Sequence, residues 1–239
     1  MKLLPEDVTW ALKNYFGLIF AIEEEKIIVR GKLSFTAKYD ETNGNYIVNP
    51  SEIDNFVVSD VYEIEIRITN TAKEYPVVKE VGGRLLKLAQ SQKIDSRNLH
   101  VYSGSLENIL CTVGPVDHIL VTENLSFQDL IERILVPFFY DSSYYEKYGK
   151  RLRPDYSHEI WGVIENYFDL GSLSTQEIKA FVKDKLIGSK QWPSIKKYLV
   201  DNQPLRGHLS CFVCGGDRIR SCHSRVFRGL VKIKYDSIF

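Results

Sequence analysis

Tyr62-Glu63-Ile64-Glu65-Ile66-Arg67-Ile68 sets four apolar side chains against three charged ones in strict alternation. Successive side chains of an extended chain point to opposite faces, so this stretch predicts a strand with one face on a core and one in water. Such half-wet strands belong to antiparallel sheets, because parallel sheets are covered on both faces. Working outward, Leu33, Phe35, Ala37 and Tyr39 alternate with Lys32, Ser34, Thr36 and Lys38. Asn43-Gly44 then gives a strong hairpin turn before Tyr46-Ile47-Val48. Together these runs predict an antiparallel meander. Ahead of it, Pro5 suits a first helical turn, and Val8, Leu12, Tyr15 and Phe16 recur at helical spacing, predicting a short N-terminal helix.

Beyond Tyr75-Pro76 the periodicity weakens through Gly82-Gly83 to Asn98, which reads as an extended flap. Helix signals return at Ser126, a cap with Asp129 three residues on, followed by the stripe Leu130, Ile131, Ile134 and Leu135, with Pro137 read as the stop. A further helix carries Ile160, Trp161, Ile164, Tyr167 and Phe168 and stops at Gly171. Ser174 with Glu177 caps one bearing Ile178, Phe181, Val182 and Leu186, and Pro193 opens a last one with Ile195, Tyr198 and Leu199. The class is α+β, and the expected division is 1–170 for the sheet domain, 171–204 for a helical extension and 205–239 for a small tail.

The 239 residues are 44% hydrophobic and 26% charged, a composition able to build a sizeable core. Lysine plus arginine equal aspartate plus glutamate at 31 each, so no overall positive field holds a nucleic-acid backbone. A local basic cluster, Arg206, Arg218, Arg220, Arg225 and Arg228, is the one feature favouring a nucleic-acid adaptor. The apolar run at 16–22 is far shorter than the roughly 20 residues of a membrane helix, and no basic region and cleavage site frame it as a signal. Thiols spaced for metal fit a reducing compartment, so the expected location is cytoplasmic.

The four cysteines divide three to one. Cys211-x2-Cys214-x7-Cys222-His223 offers three thiolates and an imidazole, soft ligands suited to zinc in a closed tetrahedral site. Gly215 and Gly216 allow the tight turn that brings the ends of the motif together. A full set of four ligands leaves no open position for hydrolysis, so the ion is expected to be structural. His208 is the alternative to His223 as fourth ligand.

Cys111 stands apart, eleven residues after His100. Its apolar flanks, Ile109-Leu110 and Thr112-Val113, suit a buried core thiol, whereas its place in a flap suits a nucleophile. An ordinary thiol is only a few per cent ionised near neutrality, so reactivity needs help from its surroundings. The candidates are His100 and the pair Asp117-His118, able to lower the thiol pKa or to deprotonate an incoming amine. Ser157-His158-Glu159 suggests a hydrolase, but Ser157 reads more simply as a helix cap.

Two resemblances follow from these motifs. Cys214-Gly215-Gly216, the basic Arg218 and Arg220, and Cys222-His223 resemble the SEC-C zinc motif, Cys-x-Cys-Gly-Ser-Gly, a basic stretch, then Cys-Cys or Cys-His. The order of helix, meander, Tyr75-Pro76-Val77-Val78, flap and single cysteine resembles the ubiquitin-conjugating (E2) fold. His100-Val101-Tyr102-Ser103-Gly104-Ser105-Leu106 is similar to the pattern before the cysteine in its bacterial relatives. So is the downstream run of Leu130-Ile131, Val136-Pro137-Phe138-Phe139, Tyr144-Tyr145, Gly149, Ser157-His158 and Gly162. This second resemblance implies a transferase in which Cys111 takes a partner's C-terminus as a thioester and passes it to an amine. It implies as partner the cGAS-like nucleotidyltransferase of CBASS antiviral operons, with priming of its signalling as the outcome. Where that family has His-Pro-Asn this chain has His100-Val101-Tyr102, leaving Asn98 or Asn108 to replace the oxyanion-stabilising asparagine. The alternative is an inactive scaffold of the same fold that binds a protein partner, its zinc tail intact.

Overall fold

The computed structural model describes residues 1–239 except 24, 25, 53–55, 70–73, 103–107, 115, 117, 118, 120–124, 153–156 and 158. Contacts divide the chain into two compact units, Met1–Val113 with Val121–Pro154, and Gly114–Leu120 with Asp155–Phe239.

The first unit is an antiparallel sheet with helices on one face. Helix α1 (Pro5–Asn14) starts at its proline. Strands β1 (Leu18–Glu23), β2 (Lys26–Asp40), β3 (Asn45–Val48), β4 (Val57–Ile68) and β5 (Val77–Glu80) follow. The order is β1-β2-β4-β5, with β3 also paired to β2. The alternation that announced β4 is realised: Tyr62, Ile64, Ile66 and Ile68 are at most 2% exposed and meet Val29, Leu33, Phe35 and Ala37 of β2 in one core. On the wet face Arg30 sits directly opposite Glu65 and reaches its carboxylate at 2.6 Å, while Arg67 holds the other oxygen at 2.6 Å. In the β2–β3 turn Asp40 accepts the amides of Thr42 and Asn43. β1 and the first half of β2, which pair over Leu18↔Gly31 to Glu23↔Lys26, show no clear alternation in the sequence and are strands that its periodicity does not predict.

Two expectations for this unit are corrected. The stretch after β5 is not an open flap: Arg84–Gln92 forms helix α2, followed by a 3-10 turn, Ser96–Leu99. Leu85, Leu88 and Ala89 fall at i, i+3 and i+4 and are buried, a stripe too short to stand out among polar neighbours. Nor does Pro137 end its helix. Helix α3 runs from Phe127 to Tyr148 through a π-helical segment, Leu130–Leu135, after which Val136 donates to Ile131 five residues back. A proline lacks an amide and pushes away the carbonyl four residues before it, and widening the preceding turn relieves both problems. The Ser126 cap is as expected, its hydroxyl accepting from the Asp129 amide at 3.0 Å. Helix α3 is tied to the sheet through Tyr62, which stacks on Phe139 at 4.3 Å and bonds the Ser143 hydroxyl at 2.9 Å.

The second unit is helical: α4 (Glu159–Asp169), α5 (Gln176–Ile187), α6 (Trp192–Leu199), a short α7 (Ile219–Cys222) and α8 (Ser224–Tyr235). Its core joins Ile160, Val163, Ile164 and Tyr167 of α4 to Ile178, Val182 and Leu186 of α5 and to Val226, Leu230 and Ile233 of α8. Thus α4, placed by the sequence reading within 1–170, packs with the C-terminal helices, and the extension and tail share that one core. Helix α8 lies so close to α4 that a Cβ built on Gly229 would stand 2.4 Å from the Ile164 carbonyl. The cap of α5 is Thr175, one residue later than read. The Ser157 amide and hydroxyl both bond the buried Glu165.

Among the described residues no helix is long and apolar enough to cross a membrane.

Candidate functional site

Two groups of chemistry-bearing residues stand out, one in each unit. In the first, the chain leaves the 3-10 turn through His100, whose φ of 55° is left-handed. That conformation costs a residue with a Cβ about 1–2 kcal/mol and redirects the backbone. It enters a short antiparallel ribbon: Val101 bridges Leu110, the Tyr102 amide donates to Ile109 at 2.9 Å, and the Cys111 amide donates to His100 at 2.8 Å. The ribbon is docked on β5, with Ile109 bridging Lys79 and the Leu110 amide donating to Val78 at 2.8 Å.

The register sorts the side chains. Val101 and Leu110 point to the core and are 1% and 6% exposed. Tyr102, Ile109 and Cys111 take the other face by the alternation of extended chain, with Tyr102 diagonal to Cys111, while left-handed His100 stands opposite Cys111 where the chain enters the ribbon. Cys111 is half-buried and Tyr102 is exposed. A hydrogen bond from His100 holds the Cys111 thiol below its ordinary value of 9.0 against the opposing effect of burial, and His100's charge and a bond with Tyr102 add to the shift. The charge of Cys111 in turn raises the Tyr102 hydroxyl above its ordinary range, with burial contributing. Tyr75, from the Tyr-Pro pair, places its hydroxyl 2.9 Å from that of Thr112, beside Cys111, and burial pushes its pKa up to about 12. The thiol itself donates to the Val113 carbonyl at 3.7 Å, and His100 and Tyr102 favour its ionisation.

Of the expected residues His100 and Cys111 are therefore together. Asp117 and His118 lie outside the described residues, as do Gly104, Ser105, Leu106 and His158. Asn98 is exposed in the 3-10 turn. Asn108, at a left-handed φ of 62°, serves the ribbon through its backbone, its amide donating to Tyr102 and its carbonyl accepting from Glu80, and its side-chain oxygen is buried without a hydrogen bond. Tyr102, beside Cys111, is a group that the sequence reading did not propose for the site, although its place next to the apolar Val101 puts it on the opposite face of an extended chain.

In the second unit Cys211, Cys214, Cys222 and His223 gather so that all four ligand atoms lie within 4.8 Å of one another. Ligands at ~2.3 Å from one tetrahedral ion stand ~3.8 Å apart, a spacing that the 3.1 Å between Cys214 and Cys222 and the 3.3 Å between Cys211 and His223 Nδ1 bracket with that upper limit. The scaffold is a tight loop closed by α7. Cys211 receives the Gly215 amide on its carbonyl, and its own amide donates to Gly216 and Asp217. Gly215 takes a left-handed φ of 73°, and a Cβ on Gly216 would crowd the sulfur of Cys214 at 3.3 Å. Cys222 ends α7 and His223 follows it. Hydrogen bonding to Cys222 lowers the Cys214 thiol, and Cys222, donating to Cys214, is pushed up to about 12. Three adjacent thiols cannot all ionise alone, and a cation among them removes that conflict. The cluster can hold a metal ion. His208 is exposed and is not part of it.

No family model, curated protein or solved structure matches this chain.

Proposed function

We propose that this chain is a ubiquitin-conjugating-like transferase that carries the C-terminal acyl group of a partner protein as a thioester on Cys111 and transfers it to an amine. The observation that carries this reading is the pairing of Cys111 with His100 and Tyr102 in a ribbon that extends the sheet edge. A thiolate, not a thiol, attacks an activated carbonyl, and a thiol held below its ordinary range is ionised more often at neutral pH. The antiparallel meander with its N-terminal helix and Tyr75-Pro76 ahead of the thiol supports the ubiquitin-conjugating fold. Helix α2 separates Tyr75-Pro76 from His100, so the approach to the cysteine differs from a simple flap.

The partner we propose is a cGAS-like nucleotidyltransferase of a CBASS-type antiviral system, acting with this protein in the bacterial cytoplasm. The donor set of three thiols and an imidazole supports zinc at the second site, bound by Cys211, Cys214, Cys222 and His223 in a structural role and resembling a SEC-C motif.

Intact-protein mass spectrometry of the chain co-expressed with such a nucleotidyltransferase tests the reading. A thiol-sensitive adduct on Cys111, becoming a stable ester in Cys111→Ser, is the expected result. No adduct in either protein, with a Cys111 that resists alkylation until unfolding, would leave the protein-binding scaffold instead.

A further inference from the structure

We propose that Tyr102 is a catalytic residue whose hydroxyl donates a hydrogen bond to the oxyanion formed when an amine attacks an acyl group on Cys111. The inference rests on the acyl-carrier reading of Cys111 and supplies an oxyanion donor which that reading needs.

The requirement comes from the chemistry. The amine nitrogen forms a bond to the thioester carbonyl carbon, and the carbonyl π pair moves onto oxygen. As the intermediate collapses that pair returns, the C–S bond breaks, the Cys111 thiolate leaves with the bonding electrons, and the ammonium proton passes to solvent base. The acceptor amine and the acylated thiol are the only reactants. The oxygen bears full charge only between these two steps, so a donor fixed beside it lowers the barrier selectively.

Backbone amides commonly play this part, but among the described residues six amides in and beside the ribbon already donate elsewhere. His100 donates to Arg97, Val101 to Ser96, Tyr102 to Ile109, Asn108 to Tyr102, Leu110 to Val78 and Cys111 to His100. Asn98 is exposed in the preceding turn, and the Asn108 side-chain oxygen is buried. Tyr102 follows core-facing Val101 and so alternates onto the face of Cys111, and it is 43% exposed, leaving room for an acyl chain. In the free protein the Cys111 thiol donates to the Val113 carbonyl at 3.7 Å, and the Tyr102 hydroxyl interacts with the same sulfur. Acylation removes the charge that made the sulfur a good acceptor, and the hydroxyl is released to the neighbouring oxygen. With the sulfur acylated, partial burial still favours the protonated phenol, so Tyr102 keeps its proton to donate.

The test uses the full chain loaded on Cys111 by exchange with a synthetic glycyl-peptide thioester of mercaptoethanesulfonate, followed by single-turnover discharge to free lysine. Starting from loaded protein removes thiol nucleophilicity from the comparison. The expected result is a wild type that discharges at least tenfold faster than the same acyl group on a short cysteine peptide. Tyr102→Phe should then be slower than wild type by roughly tenfold to a hundredfold, and Tyr102→Gln, which keeps a donor, should recover part of the loss. A Tyr102→Phe rate within twofold of a fast wild type would overturn the role of Tyr102 and leave the carrier reading standing. A wild type that fails to load, or that discharges no faster than the peptide, would overturn both before any variant is made.

Discussion

The Cys111 amide donates to the carbonyl of His100 at 2.8 Å, so the thiol and the imidazole leave opposite strands at the same level of one ribbon. Eleven residues of sequence are thereby reduced to a cross-strand pair, which brings the two side chains within reach of each other. It is this pair that gives the thiol its altered acidity.

The sign of that effect is testable. Cys111 is lowered, with the His100 hydrogen bond as the largest cause, so His100→Gln should move the thiol's ionisation upward, toward its ordinary value. The pH dependence of iodoacetamide alkylation should move to higher pH with it. At neutral pH the alkylation rate should fall in proportion to the lost thiolate, about tenfold if the midpoint rises by a full pH unit. An unchanged profile would show that the imidazole does not act on the sulfur.

Metal content tests the second site. Purified protein should carry about one metal ion per chain, and Cys222→Ser or His223→Ala should bind well below half of that by elemental analysis. A strong chelator should destabilise the second unit, because α7 and the loop at 211–217 close on the cluster. Full stability without metal would refute a structural ion.

Helix α8 depends on Gly229. A methyl there would meet the Ile164 carbonyl at 2.4 Å and its Cγ2 at 2.6 Å, so Gly229→Ala should force α4 and α8 apart. Overpacking of this kind costs about 1–3 kcal/mol, readable in urea denaturation. A change below about 0.5 kcal/mol on the same scale would mean the two helices do not cross so closely.

Alkaline titration should reveal buried phenols. Burial pushes Tyr75 and Tyr140 up to about 12 and raises Tyr62 further still. These groups prefer their neutral form in the fold, so their contribution is fully present below the unfolded value near 10 and is lost as pH rises toward and through the folded values. Phenolate absorbance should therefore appear in two stages, the later one coinciding with unfolding. A single stage near pH 10, with the fold intact, would contradict the burial of these rings.

The sequence by itself determined the elements whose signals are local. Alternation at 62–68, the Asn43-Gly44 turn, the proline start at Pro5 and the Ser126 cap each arise from a few neighbouring residues, and each stands where it was read, while the helix read from Pro193 begins one residue earlier, at Trp192, and is followed by α7 and α8. The metal motif was legible for the same reason, since a dozen residues with glycines between them can meet only in a few ways. The tertiary structure decided what depends on distant partners. A three-residue apolar stripe made α2 a helix because a core was there to receive it, and Pro137 was absorbed because a widened turn left α3 packed on the sheet. Helix α4 joined the C-terminal helices because its apolar stripe met α5 and α8. His100, Tyr102 and Cys111 converge only through backbone register. Register is fixed by hydrogen bonds between segments far apart in the chain and by which face finds the core, and composition or periodicity within one segment carries neither.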